Sequence, residues 1–200
     1  MTIICITGHC GSGKSEAAKS LFEHLPNASL IDGDKYMFRW MTDYLEEFKD
    51  IFGIPKDMCD VKECIERGKQ MTSDQFTKFI HAAAHFIEKN VEEELCKMQG
   101  CNKSYAIIEW LGVPMFKVWE RSQYRILVNS SFEQRSEKLL GRTLKEGNPY
   151  RENPAAIRTP VVEGILKTIK NVDFVLNNSY NESLSLECKL LCDKILTGNN

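Results

Sequence analysis

The chain contains no apolar run that approaches membrane-spanning length, which argues against a transmembrane helix on length alone. It has no excess of basic residues: 26 Lys and Arg stand against 28 Asp and Glu, for a formal charge of −2. A general nucleic-acid binder, ordinarily basic, is not expected from that balance. No segment repeats, and none is of low complexity. Eight cysteines are present. The pairs Cys5/Cys10, Cys59/Cys64, Cys96/Cys101 and Cys188/Cys192 nevertheless lack the two-residue spacing of zinc ribbons and knuckles. Nothing at the N-terminus has the pattern of a secretory leader, because Met1-Thr2 runs directly into a strand. A cytoplasmic chain with reduced thiols is therefore expected, with the cysteines acting mostly as small buried hydrophobes.

What is present suits a single compact domain over 1–200, at 42% hydrophobic content. Apolar strand signals fall at Ile3-Ile4-Cys5-Ile6, Ala28 to Asp32, Tyr105 to Glu109, Tyr124 to Val128 and Val172 to Leu176. Helical patterns separate them, over 35–50, 57–68, Phe132 to Leu144, Val161 to Lys170 and Ser183 to Ile195. The longest starts at Thr72 or Ser73 as cap. It carries Phe76, Phe79, Ile80, Ala83, Phe86, Ile87, Val91 and Leu95 on one stripe to about Met98. Asn148 to Pro160 reads as a loop. Short strands alternating with helices predict a parallel sheet covered on both faces, with ligands at the carboxyl ends of the strands.

The most specific motif is Gly8-His9-Cys10-Gly11-Ser12-Gly13-Lys14-Ser15, a complete Gly-x-x-x-x-Gly-Lys-Ser phosphate loop between the first strand and a helix. Glycines let the backbone turn its N–H groups inward, and the helix N-terminus adds positive potential. Gly8, Cys10, Gly11, Ser12, Gly13, Lys14, Ser15 and Glu16 are the expected nucleotide contacts. Lys14 is placed on the β- and γ-phosphates and Ser15 on Mg²⁺. The fold class that follows is α/β: a three-layer P-loop NTPase fold with a five-stranded parallel sheet and a helical substrate lobe at 35–100. His9 is expected to face solvent, since such loops bind through backbone groups. Cys10, at a helix N-terminus, is a candidate reactive thiol.

Other features narrow the class. The guanine reader Asn-Lys-x-Asp is missing, for Asn102-Lys103 is followed by Ser104-Tyr105. The third strand ends in Ile108-Glu109-Trp110 rather than Asp-Glu. A small kinase suits the remainder. Asp32-Gly33-Asp34 stands at the end of the second strand, where a carboxylate can take a hydroxyl proton or help hold Mg²⁺. Either aspartate can act as base. Asp32 is preferred because the strand fixes it, with Asp34 as cap of the next helix. Arg135, Lys138 and Arg142 share a helix face within a lid at 131–160, followed by Arg151 and Arg158. Tyr36, Phe38, Trp40, Tyr44 and Phe48 form either a packed helical face or a stacking surface for a base or pantetheine arm. Asn177-Asn178 ends the fifth strand as a plain turn or at the adenine end of a site.

On these residues the chain resembles dephospho-coenzyme A kinase, over most of its length and in order. The shared features are the strand, phosphate loop and helix; Ile31-Asp32-Gly33-Asp34; the lid helix from Arg135 to Arg142; and Arg158 fifteen residues ahead of the Asp173-Phe174-Val175-Leu176-Asn177 strand. The chain departs from that family at Glu16, at Glu109-Trp110-Leu111-Gly112-Val113-Pro114, at His81 and His85 without a following proline, and at Val162. The resemblance implies ATP and Mg²⁺ as cofactors and transfer to the ribose 3′-hydroxyl of dephospho-coenzyme A. Lys14, Arg142 and Arg158 would stabilise the transferring phosphoryl group. Ser15, Asp32 and Glu109 would lie at the metal. The expected partner is a small molecule, with the chain monomeric or a weak homo-oligomer, and neither nucleic acid nor membrane is expected. The alternatives are a kinase of the nucleoside, nucleotide or adenylylsulfate type, and a nucleotide-binding regulatory protein without transfer activity.

Overall fold

The computed structural model describes residues 1–68, 70–145, 153–180 and 183–198; the side chains of 142–145 lie outside the described residues. Strands β1 (Thr2–Gly8), β2 (Ala28–Asp32), β3 (Tyr105–Glu109), β4 (Tyr124–Asn129) and β5 (Phe174–Asn177) form one all-parallel sheet in the order β2-β3-β1-β4-β5. The helices are α1 (Lys14–His24), α2 (Gly33–Asp43), α3 (Leu45–Phe52), α4 (Val61–Gly68), α5 (Ser73–Gly100), α6 (Lys117–Arg121), α7 (Phe132–Lys145), α8 (Pro154–Lys167) and α9 (Ser183–Thr197).

Both sheet faces are covered, which explains why the strands read as unbroken apolar runs. Successive side chains of β1 point to opposite faces. Ile4 and Ile6 join Ile107, Ile126 and Val128 under α1 and α9. Ile3 and Cys5 join Ala106 and Ile108 under the long α5 and the helices around it. Burial of this kind contributes roughly 25 cal/mol per Å² of apolar surface. α5 packs on α2, α3 and α8 and reaches β2 and β3, so the strandless stretch between β2 and β3 meets the sheet through α5. Its start is a capping box, in which Thr72 Oγ1 accepts from Gln75 N and the Gln75 side chain accepts from Thr72 N.

Several expectations need correction. The single helix expected over 35–50 is two, α2 and α3, broken at Tyr44 with φ −120° and ψ 43°. The break lets Trp40 and Phe48 both turn onto Phe79 of α5, at 5.6 and 6.0 Å between ring centroids. Tyr36, Trp40 and Phe48 are therefore core residues, while Phe38 and Tyr44 are exposed. The loop expected to extend to Pro160 gives way to α8 at Pro154. Asn153 caps it by accepting from Ala155 N at 2.9 Å, and Pro154 stands in the first turn, where its missing N–H costs nothing. Pro160 lies inside that helix. The short α6 had no counterpart in the sequence reading. Cys5, Cys64, Cys188 and Cys192 are buried, but Cys59, Cys96 and Cys101 are exposed, so those three are not core hydrophobes.

Candidate active site

The phosphate loop joins β1 to α1 at the carboxyl edge of the sheet. At Gly8, φ is 148° and a Cβ would lie 2.2 Å from the Val128 carbonyl oxygen, so no side chain fits where the loop leaves β1 beside β4. Ser12 N donates to the His9 carbonyl at 3.1 Å, closing the turn. Gly13, left-handed at φ 96°, is the N-cap of α1. A glycine cap brings no side chain to occupy the first-turn amides, which leaves them for an anion.

Lys14 and Ser15 meet one carboxylate. Lys14 Nζ donates to the His9 carbonyl at 3.1 Å and lies 3.9 Å from Glu109 Oε1. Ser15 Oγ donates to Glu109 Oε2 at 3.2 Å. Glu109 ends β3 opposite Asp32 of β2 and Ile6 of β1, and is only 3% exposed. Burial pushes its carboxyl up to about 7. Lys14 pulls against that, Asp34 and Asp32 reinforce it, and the Ser15 hydrogen bond pulls down again.

The capping role expected of Asp34 falls to Asp32. Asp32 caps α2, its Oδ1 accepting from Asp34 N at 2.9 Å. It is the exposed member of the pair. The helix starts at Gly33, so the strand-end aspartate falls at the cap position and Asp34 moves into the first turn. From there Asp34 lines a cleft with Cys10, Gly11, Gly13, Lys14, Ser15, Glu16, Leu111, Leu139 and Arg158. Arg158 reaches it from α8, which Ser73 Oγ ties to α5 through the Ile157 carbonyl at 2.8 Å. Its guanidinium stands 5.8 Å from the Phe76 ring centroid.

Helix α7 differs more from expectation. Arg135 is 5% exposed and points into the structure, donating to the Ser130 carbonyl at 2.5 Å and to Thr159 Oγ1 at 3.4 Å. It is thus a buried strut between α7 and α8 rather than a face-sharing lid cation. Lys138 is exposed, 5.3 Å above the Tyr180 ring. The Arg142 side chain and Arg151 lie outside the described residues.

His9 is buried, contrary to the expectation that it faces solvent. Burial first, then Arg135 and Lys14, push its imidazole down to about 4. An unfolded histidine titrates near 6.5. Between those values the unfolded chain takes a proton that the folded one refuses. The stability His9 contributes is complete above 6.5 and is lost progressively as the pH falls from 6.5 through 4, a loss of about 3 kcal/mol. Thermal midpoints measured from pH 7 down to pH 4 should fall less steeply for His9→Asn than for the unaltered chain. Parallel slopes would refute this.

Two further residues meet the loop: Asn178, which the sequence offered as a plain turn or as the adenine end of a site, and Tyr180, which had no signal in the sequence. Asn178, just after β5, donates from Nδ2 to the Ser12 carbonyl at 2.9 Å, and the Tyr180 hydroxyl donates to the Gly11 carbonyl. Paired asparagines at a strand end mark a turn, and nothing local shows that the turn meets a loop 166 residues away. On that side a cavity of about 370 Å³ is lined by Glu16, Lys19, Ser20, Lys138, Asn178 and Tyr180, among others.

Among the described residues no cluster of three or more His, Cys, Asp and Glu forms a self-sufficient metal site. The donors present, Ser15 Oγ beside the Glu109 carboxylate, are hard oxygens suited to Mg²⁺, which takes most of its ligands from phosphate and water. No helix among the described residues is long and apolar enough to cross a membrane.

No protein-family profile matches the chain, and no curated protein does. Solved structures do match. TT1252 from Thermus thermophilus superposes with a TM-score of 0.65 at 20% identity, over 100% of this chain and 98% of that one. Shikimate kinase from Bacteroides thetaiotaomicron gives 0.55 at 13% identity, over 98% of both chains. Dephospho-CoA kinase from Campylobacter jejuni gives 0.50 at 15% identity, over 98% of this chain and 96% of that one. The fold is that of the P-loop kinases. In that frame β3 brings Glu109 beside the phosphate loop, and α8 brings Arg158 to the same cleft as Asp34.

Proposed function

We propose that this protein is an ATP-dependent kinase that transfers the γ-phosphoryl group to a hydroxyl of a small molecule. One observation carries the reading: a single cleft is walled by the phosphate loop with Lys14 and Ser15, by a carboxylate at Asp34, and by a guanidinium at Arg158. Phosphoryl transfer needs little beyond those parts, because its catalysis is positioning plus stabilisation of spread negative charge. The loop amides and Lys14 bind the β- and γ-phosphates. Ser15 and Glu109 hold Mg²⁺, which when bound neutralises charge on the phosphate oxygens. Asp34 accepts the proton of the attacking hydroxyl. Arg158, in the same cleft, stabilises the charge on the transferring group; Arg142 is the second arginine that the resemblance gives for this role.

The motif order of the sequence and the likeness to a dephospho-CoA kinase make dephospho-coenzyme A the first acceptor to test. The likeness to a shikimate kinase keeps other small alcohols in the panel. Tyr36, Trp40 and Phe48 are packed in the core and do not supply a stacking surface for the acceptor. The test is ATP consumption by the purified protein with Mg²⁺, with and without dephospho-coenzyme A, the product identified by mass. Stoichiometric coenzyme A supports the full reading. Acceptor-dependent turnover with another alcohol keeps the kinase and replaces the acceptor. ATP binding without turnover on any of a panel of nucleosides, nucleotides and small alcohols refutes the transfer reading.

A further inference from the structure

The loop after β5 grips the phosphate loop through its carbonyls, and this assigns a task to two residues outside the cleft. Asn178 is 3% exposed and fixed on three sides. Its N–H donates to the Asn129 carbonyl at 2.8 Å, its Oδ1 accepts from Tyr180 N at 2.8 Å, and its Nδ2 donates to the Ser12 carbonyl at 2.9 Å. The approach is close: a Cβ on Gly13 would lie 2.2 Å from that Nδ2. Tyr180 stands at φ 58°, a left-handed conformation costly for a bulky residue and maintained only where its surroundings require it. What it gains there is the hydroxyl contact with the Gly11 carbonyl and the Lys138 ammonium over its ring.

In a trans peptide the carbonyl and the following N–H point opposite ways, and all the described peptides are trans. The Gly11–Ser12 peptide is held at both ends, by Tyr180 on its oxygen and by the His9 carbonyl on its N–H. Holding the Ser12 oxygen at Asn178 turns the Gly13 N–H to the other side of the loop. Glycines at 11 and 13 make these peptides easy to rotate, and a carbonyl swung towards a phosphate would repel it.

We propose that Asn178 and Tyr180 are positioning residues that fix the Gly11–Ser12 and Ser12–Gly13 peptides, so that the loop keeps these two carbonyls off the phosphates and turns the Gly13 amide towards them. This rests on the nucleotide reading of the loop. Tyr180 also lines the cavity on the α1 side, so a mere nucleoside contact has to be distinguished from loop positioning.

Binding of ATP and of inorganic tripolyphosphate, measured by calorimetry on the full chain, separates the two. Asn178→Asp removes the donor to Ser12 while keeping the acceptor for Tyr180 N. Tyr180→Phe removes one hydroxyl and keeps the ring. Asn178→Asp should weaken both ligands by about tenfold or more, and Tyr180→Phe by about three- to tenfold, each in equal proportion for the two ligands. In the kinase assay KM for ATP should rise by a larger factor than kcat falls, which a generally loosened fold would not produce. Loss for ATP alone, or for neither ligand, overturns the proposal. Should Asn178→Asp fail to fold by circular dichroism, Tyr180→Phe decides by the same criteria. Failure of the unaltered protein to bind either ligand overturns the nucleotide reading and, with it, the positioning role of Asn178 and Tyr180.

Discussion

Lys14→Met is expected to lower kcat/KM for ATP by about a thousandfold or more while leaving the melting temperature within a few degrees. The side chain is only 10% exposed and its ammonium has two partners in the resting site, the His9 carbonyl at 3.1 Å and Glu109 Oε1 at 3.9 Å. Neither partner matches the doubly charged phosphate that forms beside it in transfer, so the ammonium does more in the transition state than at rest. Methionine keeps the aliphatic stem and its packing. Glu109 limits the stability cost. Its carboxyl is already pushed up to about 7 by burial against the pull of Lys14; without that cation it takes up a proton instead of remaining an unpaired buried charge. Steady-state kinetics with ATP as varied substrate and a thermal melt check both halves. A variant within tenfold of the unaltered rate would remove Lys14 from the chemistry.

The resting contact of Lys14 and Ser15 with Glu109 was only half visible in the sequence. The phosphate loop is a contiguous motif whose glycines answer local steric needs, so eight residues were enough to show it. The resemblance put Glu109 at the metal with Ser15, but its direct contacts with Ser15 and Lys14 depend on the sheet order, since β3, 94 residues from Ser15, becomes a neighbour only through β1. His9 shows the same limit. A loop that binds through its backbone gives no reason for a buried imidazole, and nothing local shows that Arg135, 126 residues away, stands near enough to depress its pKa. The five strands were legible because both sheet faces are covered and each strand is apolar along its length. Helix ends were less so. The break at Tyr44 and the start of α8 at Pro154 depend on how Trp40, Phe48 and Asn153 meet their partners. Whether Asp32 or Asp34 caps α2 turns on a single residue of helix boundary.

That boundary sets the second large effect. Asp34→Asn should lower kcat by about 10²- to 10⁴-fold, the range for loss of a positioned general base, with ATP affinity nearly unchanged. Asp34 lines the cleft with Lys14, Ser15 and Arg158, whereas the Oδ1 of Asp32 is engaged with the helix N–H of Asp34 at 2.9 Å. Asp32→Asn is the matched control. Asparagine caps as well as aspartate, so that variant removes a charge and leaves the start of α2 intact. Its loss should be smaller, because Asp32 is engaged in its cap and is not among the residues lining the cleft. Asp32→Ala removes the cap as well and should lower stability by about 1 kcal/mol, readable in a denaturant titration. The outcome that reverses the assignment is specific: Asp32→Asn inactive while Asp34→Asn turns over. It would mean that the strand-end carboxylate leaves its capping contact when nucleotide binds, and that the proton is taken beside Glu109 rather than beside Arg158.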